Sequence, residues 1–160
     1  MTELQRLADQ HHRIFTGDAW HGPALREILK DVTAKQAAAH PVAGAHSIWE
    51  LVLHIAAWVA IVDAAIHGKP LPSHSAKNIK QLDWPPVRKT DAAAWRQAQQ
   101  QVYAAAEMLR RSIRGFNPKR LREKVPGRNY DFGYALPGIV QHTLYHAGQI
   151  ALLKKAMKIG

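Results

Sequence analysis

From Ile48 to Val62 the chain is apolar except for Glu50 and His54. Ile48, Leu51, Val52, Ile55, Val59 and Val62 recur at helical spacing and form one stripe, while Leu53, Trp58 and Ile61 make most of the remaining surface apolar as well. A helix that is apolar nearly all round must be covered on every side, so it is either central in a bundle or covered by a partner subunit. A homodimer is expected partly for that reason. The segment is short for a bilayer and carries a glutamate and a histidine, so it reads as a buried core helix with no membrane role. Its bounds are expected near Ser47 and His67, with Gly68-Lys69-Pro70 as the stop.

The other segments supply the cover. Thr2 to Phe15 reads as one helix, broken by Thr16-Gly17-Asp18. Gly22-Pro23 opens a second piece running to about Val32, and Thr33 followed by Gln36 has the spacing of a capping box for a short helix. Pro70 to Lys89 contains four prolines and no clean periodicity, so it is a long connection of the kind that is usually functional or flexible. A third long helix is expected from Thr90 or Asp91 to about Arg114, with Trp95, Ala98, Val102, Ala105, Leu109 and Ser112 as its inner stripe. After a basic loop, a fourth starts near Leu136-Pro137 and runs to about Met157. Four long helices, a long crossover connection and no strands give an all-α four-helix bundle, expected as a single domain over residues 1–160.

Composition removes several alternatives. There is no cysteine, which excludes a disulfide scaffold and any thiolate metal site. Met1 to Phe15 is polar and of mixed charge, without the apolar core of a secretory signal, and a cytoplasmic location is expected. The formal charge of +10 is concentrated in Arg110, Arg111 and Arg114, in Lys119 to Arg128, and in Lys154, Lys155 and Lys158. Such a field suits nucleic acid or a small anionic substrate. Solvated helix ends explain it at least as well, and no nucleic-acid motif accompanies it.

The histidines carry the chemistry. Of the ten, His11, His12, His21, His40, His46, His67 and His74 fall at helix ends, in loops or on polar faces, where surface roles are expected. His142 and His146 are spaced i, i+4 among Ile139, Val140, Leu144, Ile150 and Leu153, so both imidazoles lie on one face about one turn apart. Chance placement of ten histidines would yield roughly half of one such pair, so the pair needs context. His54, mid-helix in the most apolar segment, provides it. Three buried imidazoles on two central helices can ligate one divalent metal and leave positions open for water or substrate. Zinc or nickel suits such a set best, and iron or copper is compatible with it. The segment is not a zincin motif, because Thr143 stands where a metalloprotease carries its glutamate base. Glu50, one turn before His54, is a candidate to orient that ring; Gln149 and Tyr145 share the neighbourhood of His142 and His146. Trp20, Tyr130 and Tyr145 are candidates to line a pocket bounded by Pro70 to Lys89 and Lys119 to Gly133. No catalytic residue is assigned.

Three stretches resemble a known family. They are His46-Ser-Ile-Trp-Glu-Leu-Val-Leu-His54-Ile-Ala-Ala-Trp58, Gln141-His142-Thr-Leu-Tyr145-His146-Ala-Gly148-Gln149-Ile150, and Gly17-Asp-Ala-Trp-His-Gly-Pro23. Together they resemble the DinB-like (DinB/YfiT-like) superfamily of four-helix bundles, in the right order and over nearly the whole chain. The resemblance implies a metal-binding triad on His54, His142 and His146, and a homodimer. It also implies kinship with transferases and isomerases that use bacillithiol or mycothiol. Val59 and Pro137 depart from the common pattern, which leaves the subfamily open.

The leading expectation is a metal-dependent enzyme that activates an external low-molecular-weight thiol or water, of thiol transferase or hydrolase type. The alternatives are a non-catalytic metal-binding stress-response protein and, ranked last, a basic nucleic-acid-binding protein.

Overall fold

The computed structural model describes residues 1–159. Seven α-helices follow in order: α1 (Glu3–Thr16), α2 (Leu25–Leu29), α3 (Ala34–Ala38), α4 (Ile48–Ile66), α5 (Ile79–Asp83), α6 (Ala92–Gly115) and α7 (Phe132–Ala156). A 3₁₀ turn, Pro118–Arg122, lies between α6 and α7. Among the described residues the only β-type pairing is one antiparallel bridge, Lys124 with Asp131. The long helices close a ring, in which α6 packs on both α1 and α4, and α7 packs on both as well. The fold is the expected all-α four-helix bundle.

Local chemistry sets the helix starts. Thr2, Thr33 and Ser47 each cap a helix, accepting from the backbone N–H three residues on, while Gln5, Gln36 and Glu50 reach back to the cap. The piece after Gly22-Pro23 is shorter than its pattern suggests and closes at Leu29. The long connection after α4 contains α5, a helix of one turn that its prolines conceal in the sequence.

Two expectations are corrected. On α6 the buried residues are Trp95, Ala98, Val102, Ala106, Leu109 and Ile113, so Ala106 and Ile113 replace Ala105 and Ser112. The expected stripe kept a heptad-like spacing, whereas a straight helix advances 3.6 residues per turn and drifts off that stripe within a few turns. The displaced Ser112 instead donates to Asp63 Oδ1 at 2.6 Å, satisfying a buried carboxylate on α4. The start of α7 lies at Phe132, four residues before Leu136-Pro137. Asp131 sets it by accepting from the Tyr134 N–H at 3.0 Å. Pro137 sits inside the helix, where it forfeits one hydrogen bond to the second residue, Gly133. Because α7 carries two of the three candidate ligands, the cap matters: Asp131→Ala is expected to cost about 1 kcal/mol in urea unfolding.

The helix α4 is buried along most of its length. By length and composition alone its 19 residues suffice to cross a membrane, a correction to the expectation that the segment is too short. Its burial against α6 and α7, with His54 and Asp63 turned into the protein, accounts for its apolar character.

At one end of the bundle the two long connections are fastened together. Leu71 N–H donates to Pro126 O at 3.0 Å, and the Arg128 guanidinium donates to Pro72 O at 2.5 Å and Gly127 O at 2.9 Å. Other members of the basic clusters are also engaged. Glu107 binds Arg110 and Arg111 at 2.7–2.8 Å, and Arg120 pairs with Glu123 and lies over Phe116.

Candidate metal centre

The structure brings His54 from α4 together with His142 and His146 from α7. Their donor nitrogens all lie within 4.8 Å of one another. Nitrogens bound at about 2.0–2.1 Å to one tetrahedral ion sit about 3.3 Å apart, so the cluster is of the right scale for a single metal. His54 Nε2 and His142 Nε2 are 3.0 Å apart. No other group of three or more histidines, cysteines or carboxylates of this kind occurs among the described residues.

Hydrogen bonds fix the tautomers. His54 Nδ1–H donates to the backbone carbonyl of Asp83 at 2.6 Å, which leaves its Nε2 unprotonated and able to accept or ligate. His146 Nδ1–H donates to Gln149 Oε1 at 2.7 Å, with the same result. His142 Nε2–H then donates to His54 Nε2, and His142 Nδ1 is buried with no hydrogen-bond partner. Two of the three rings are thus held in the form that ligates through Nε2, and only His142 must move a proton to join them. Burial lowers the pKa of all three, that of His142 to about 4, where the neighbouring rings of His146 and His54 add to the effect. All three are neutral at neutral pH, which is the state a metal requires.

The segment that closes this side comes from α5 and the residue after it. Asp83 Oδ1 accepts from Trp58 Nε1 at 2.7 Å, which anchors the turn whose carbonyl holds His54. Trp84 lies face to face with His54, at 3.9 Å between ring centres and 12° between planes. Its other face carries His46, at 3.4 Å and 8°.

Of the sequence candidates, Gln149 holds His146 as its spacing suggested. Glu50 does not orient His54: at the third position of α4 its carboxylate turns back to the Ser47 N–H at 2.7 Å and to His40 Nε2 at 3.1 Å. Tyr145 meets the His146 ring edge-on at 5.0 Å but is 66% exposed, so it flanks the centre. Trp20 is fully exposed and Tyr130 lines a cavity beside the triad. Among the histidines assigned surface roles, His11 is instead wholly buried; the other six are exposed. Asp83 and Trp84 were not anticipated. The available signal was a tryptophan beside an acid within a proline-rich connection, a setting in which a large aromatic needs something to cover.

The match to the family model of the DinB superfamily runs over residues 19–150, which takes in all three histidines, Asp83, Trp84 and Gln149. The chain belongs to the DinB superfamily. No curated protein and no solved structure matches it significantly. Of the two positions that depart from the common DinB-like pattern, Val59 is fully buried in the core. Pro137 falls one turn before Gln141 and His142 without interrupting α7.

Proposed function

We propose that this DinB-superfamily protein is a metal-dependent enzyme of thiol transferase or hydrolase type, with His54, His142 and His146 as the ligands of one divalent ion, zinc or nickel. The observation that carries this reading is the convergence of three neutral imidazoles, two of them held in the ligating tautomer by Asp83 O and Gln149 Oε1. An ion held there supplies Lewis acidity, lowering the pKa of a low-molecular-weight thiol or of water so that the nucleophile is available near neutral pH.

The chain's own groups do the rest. The Asp83 carbonyl and Gln149 keep the proton of each ring on Nδ1, away from the centre. Trp84 covers the His54 face and excludes water from one side. With no cysteine in the chain, any thiol in the reaction comes from a cosubstrate. A panel of thiols with electrophilic acceptors, and of hydrolysable esters and amides, tests the reading. Metal-dependent turnover that is lost in His146→Ala supports it, and absence of turnover across both panels with fully loaded protein counts against catalysis.

The outer face of α4 supports a homodimer as the working form. Leu53, Ala57, Ala60, Ile61 and Ala64 run along it without a charged residue, and each retains some exposure. Light scattering on the full chain is expected to give twice the monomer mass, with Ala60→Glu shifting it to the monomer. A monomeric parent at micromolar concentration removes this part of the proposal.

A further inference from the structure

A cavity of about 280 Å³ opens between α4 and α7, directly beside the triad, with His54 and His142 in its wall. Trp58, Val62, Leu71, Val125, Phe132 and Ile139 are among the residues that line it, and the lining is predominantly apolar. The room exists because of small residues. Ala135 and Gly138 sit seven and four positions before His142, on the same face of α7, and a Cβ added at Gly138 would meet nothing within 4 Å. The fastened connections supply Leu71 and Val125 as the far wall, and Tyr134, 69% exposed, stands at the rim 5.2 Å from the ring of Tyr130.

The lining of this space lacks the basic character of the chain as a whole. No lysine or arginine lines it, and its one carboxylate is that of Asp83. Of the basic residues close in sequence to the far wall, Lys124 is exposed and does not line the cavity, and Arg128 is turned to the carbonyls of Pro72 and Gly127. Away from the triad, an anionic group entering here would lose its water and find no lysine or arginine to pair with. An uncharged apolar group loses nothing comparable and gains burial.

From this we infer that the substrate processed at the triad carries a neutral apolar group, of the size of one or two aromatic rings, which is seated in this cavity. The inference rests on the metal-enzyme reading above and gives it a substrate class. The size follows from volume: an apolar cavity of about 150 Å³ accommodates benzene, so a space nearly twice as large has room for a bicyclic ring system. Anionic portions of the substrate or thiol other than the group bound at the triad stay outside this cavity.

The test is isothermal titration calorimetry on the full-length protein with two probes of like shape, neutral 2-naphthylmethanol and anionic 2-naphthoate, with metal content measured on each preparation. In metal-free His146→Ala, where no ion is held to ligate the carboxylate, the alcohol is expected to bind at least tenfold more tightly than the carboxylate. Gly138→Leu, which projects a side chain into the cavity while improving helix propensity, is expected to weaken the alcohol at least tenfold with metal content unchanged. Ala135→Leu is a second plug should Gly138→Leu fold poorly by circular dichroism. His146→Ala, outside the cavity wall, is expected to lose metal and keep the alcohol. Unaltered binding of the alcohol in both plugged variants, or a preference for the carboxylate in metal-free His146→Ala, overturns the inference while leaving the metal reading standing. A parent that holds no metal yet binds the alcohol overturns the metal reading, and the substrate assignment with it.

Discussion

Purified without a histidine tag, the protein is expected to carry about one equivalent of zinc or nickel, and His54→Ala or His146→Ala to carry almost none while the helical signal persists. The size of the effect follows from the ligand count. Removing one imidazole leaves two, and the nearby carboxylates are engaged elsewhere: Glu50 with the Ser47 N–H, and Asp83 Oδ1 with Trp58. The fold should tolerate the loss because the ring of four long helices is held by an apolar core extending well beyond the triad. The Ala variants remove a buried polar ring together with its hydrogen bond, and the penalty falls mainly on the local closure by Trp84. Gln149→Leu gives a graded control. It leaves all three ligands but frees the His146 ring, and an affinity loss of about 10–100-fold is expected. Asp83→Ala should weaken the site less than His54→Ala, because the acceptor for His54 is a backbone carbonyl that the substitution retains. A parent that takes up no metal after incubation with zinc or nickel would sink the metal-enzyme reading. The three histidines would then be core residues of a bundle whose partners remain to be found.

How much of this was legible beforehand depended on the range of the interaction. The two ligands on α7 announce themselves by i, i+4 spacing, and His54 by its place in an otherwise apolar helix, because helical periodicity fixes which face each occupies. Gln149 was legible for the same reason, as it lies three residues from His146 on the same helix. Asp83 and Trp84 were not. Their partners lie some thirty residues away on another element, and the contact depends on how an irregular proline-rich connection folds back, which no periodicity reports. Glu50 misled because its position allowed two local roles, and the capping box with Ser47 won over a reach toward His54. The start of α7 was hidden by Pro137: a proline reads as a first-turn residue, yet the acceptor that starts the helix is Asp131, a turn and a half earlier. The stripe on α6 slipped by one residue at Ala106 and again at Ile113, small enough to preserve the fold and large enough to move Ser112 onto Asp63.

His11 is the misassignment with the largest energetic consequence. It lies on α1, wholly buried, 5.0 Å from the ring of Phe15, and neither of its ring nitrogens has a hydrogen-bond partner. Burial pulls its pKa down to about 4, assisted by His12 and Arg110 and opposed by Glu107; Arg26 and Tyr103 line the neighbouring pocket. The unfolded chain therefore binds a proton near pH 6.5 that the folded chain refuses until about pH 4. The unfolded state holds more protons throughout that window, so stability falls as the pH is lowered through it, by about 3 kcal/mol for this group. His11→Leu removes both the titration and the unsatisfied nitrogens at similar volume. The variant is expected to be more stable than the parent by about 1–3 kcal/mol at pH 7, and by a wider margin at pH 4.5. Urea unfolding of both proteins at pH 4.5, 5.5 and 7 isolates the contribution, since His54, His142 and His146 titrate alike in parent and variant. Parallel stability profiles would show that His11 is not buried neutral in solution. A variant less stable than the parent at pH 7 would show that the imidazole is satisfied there.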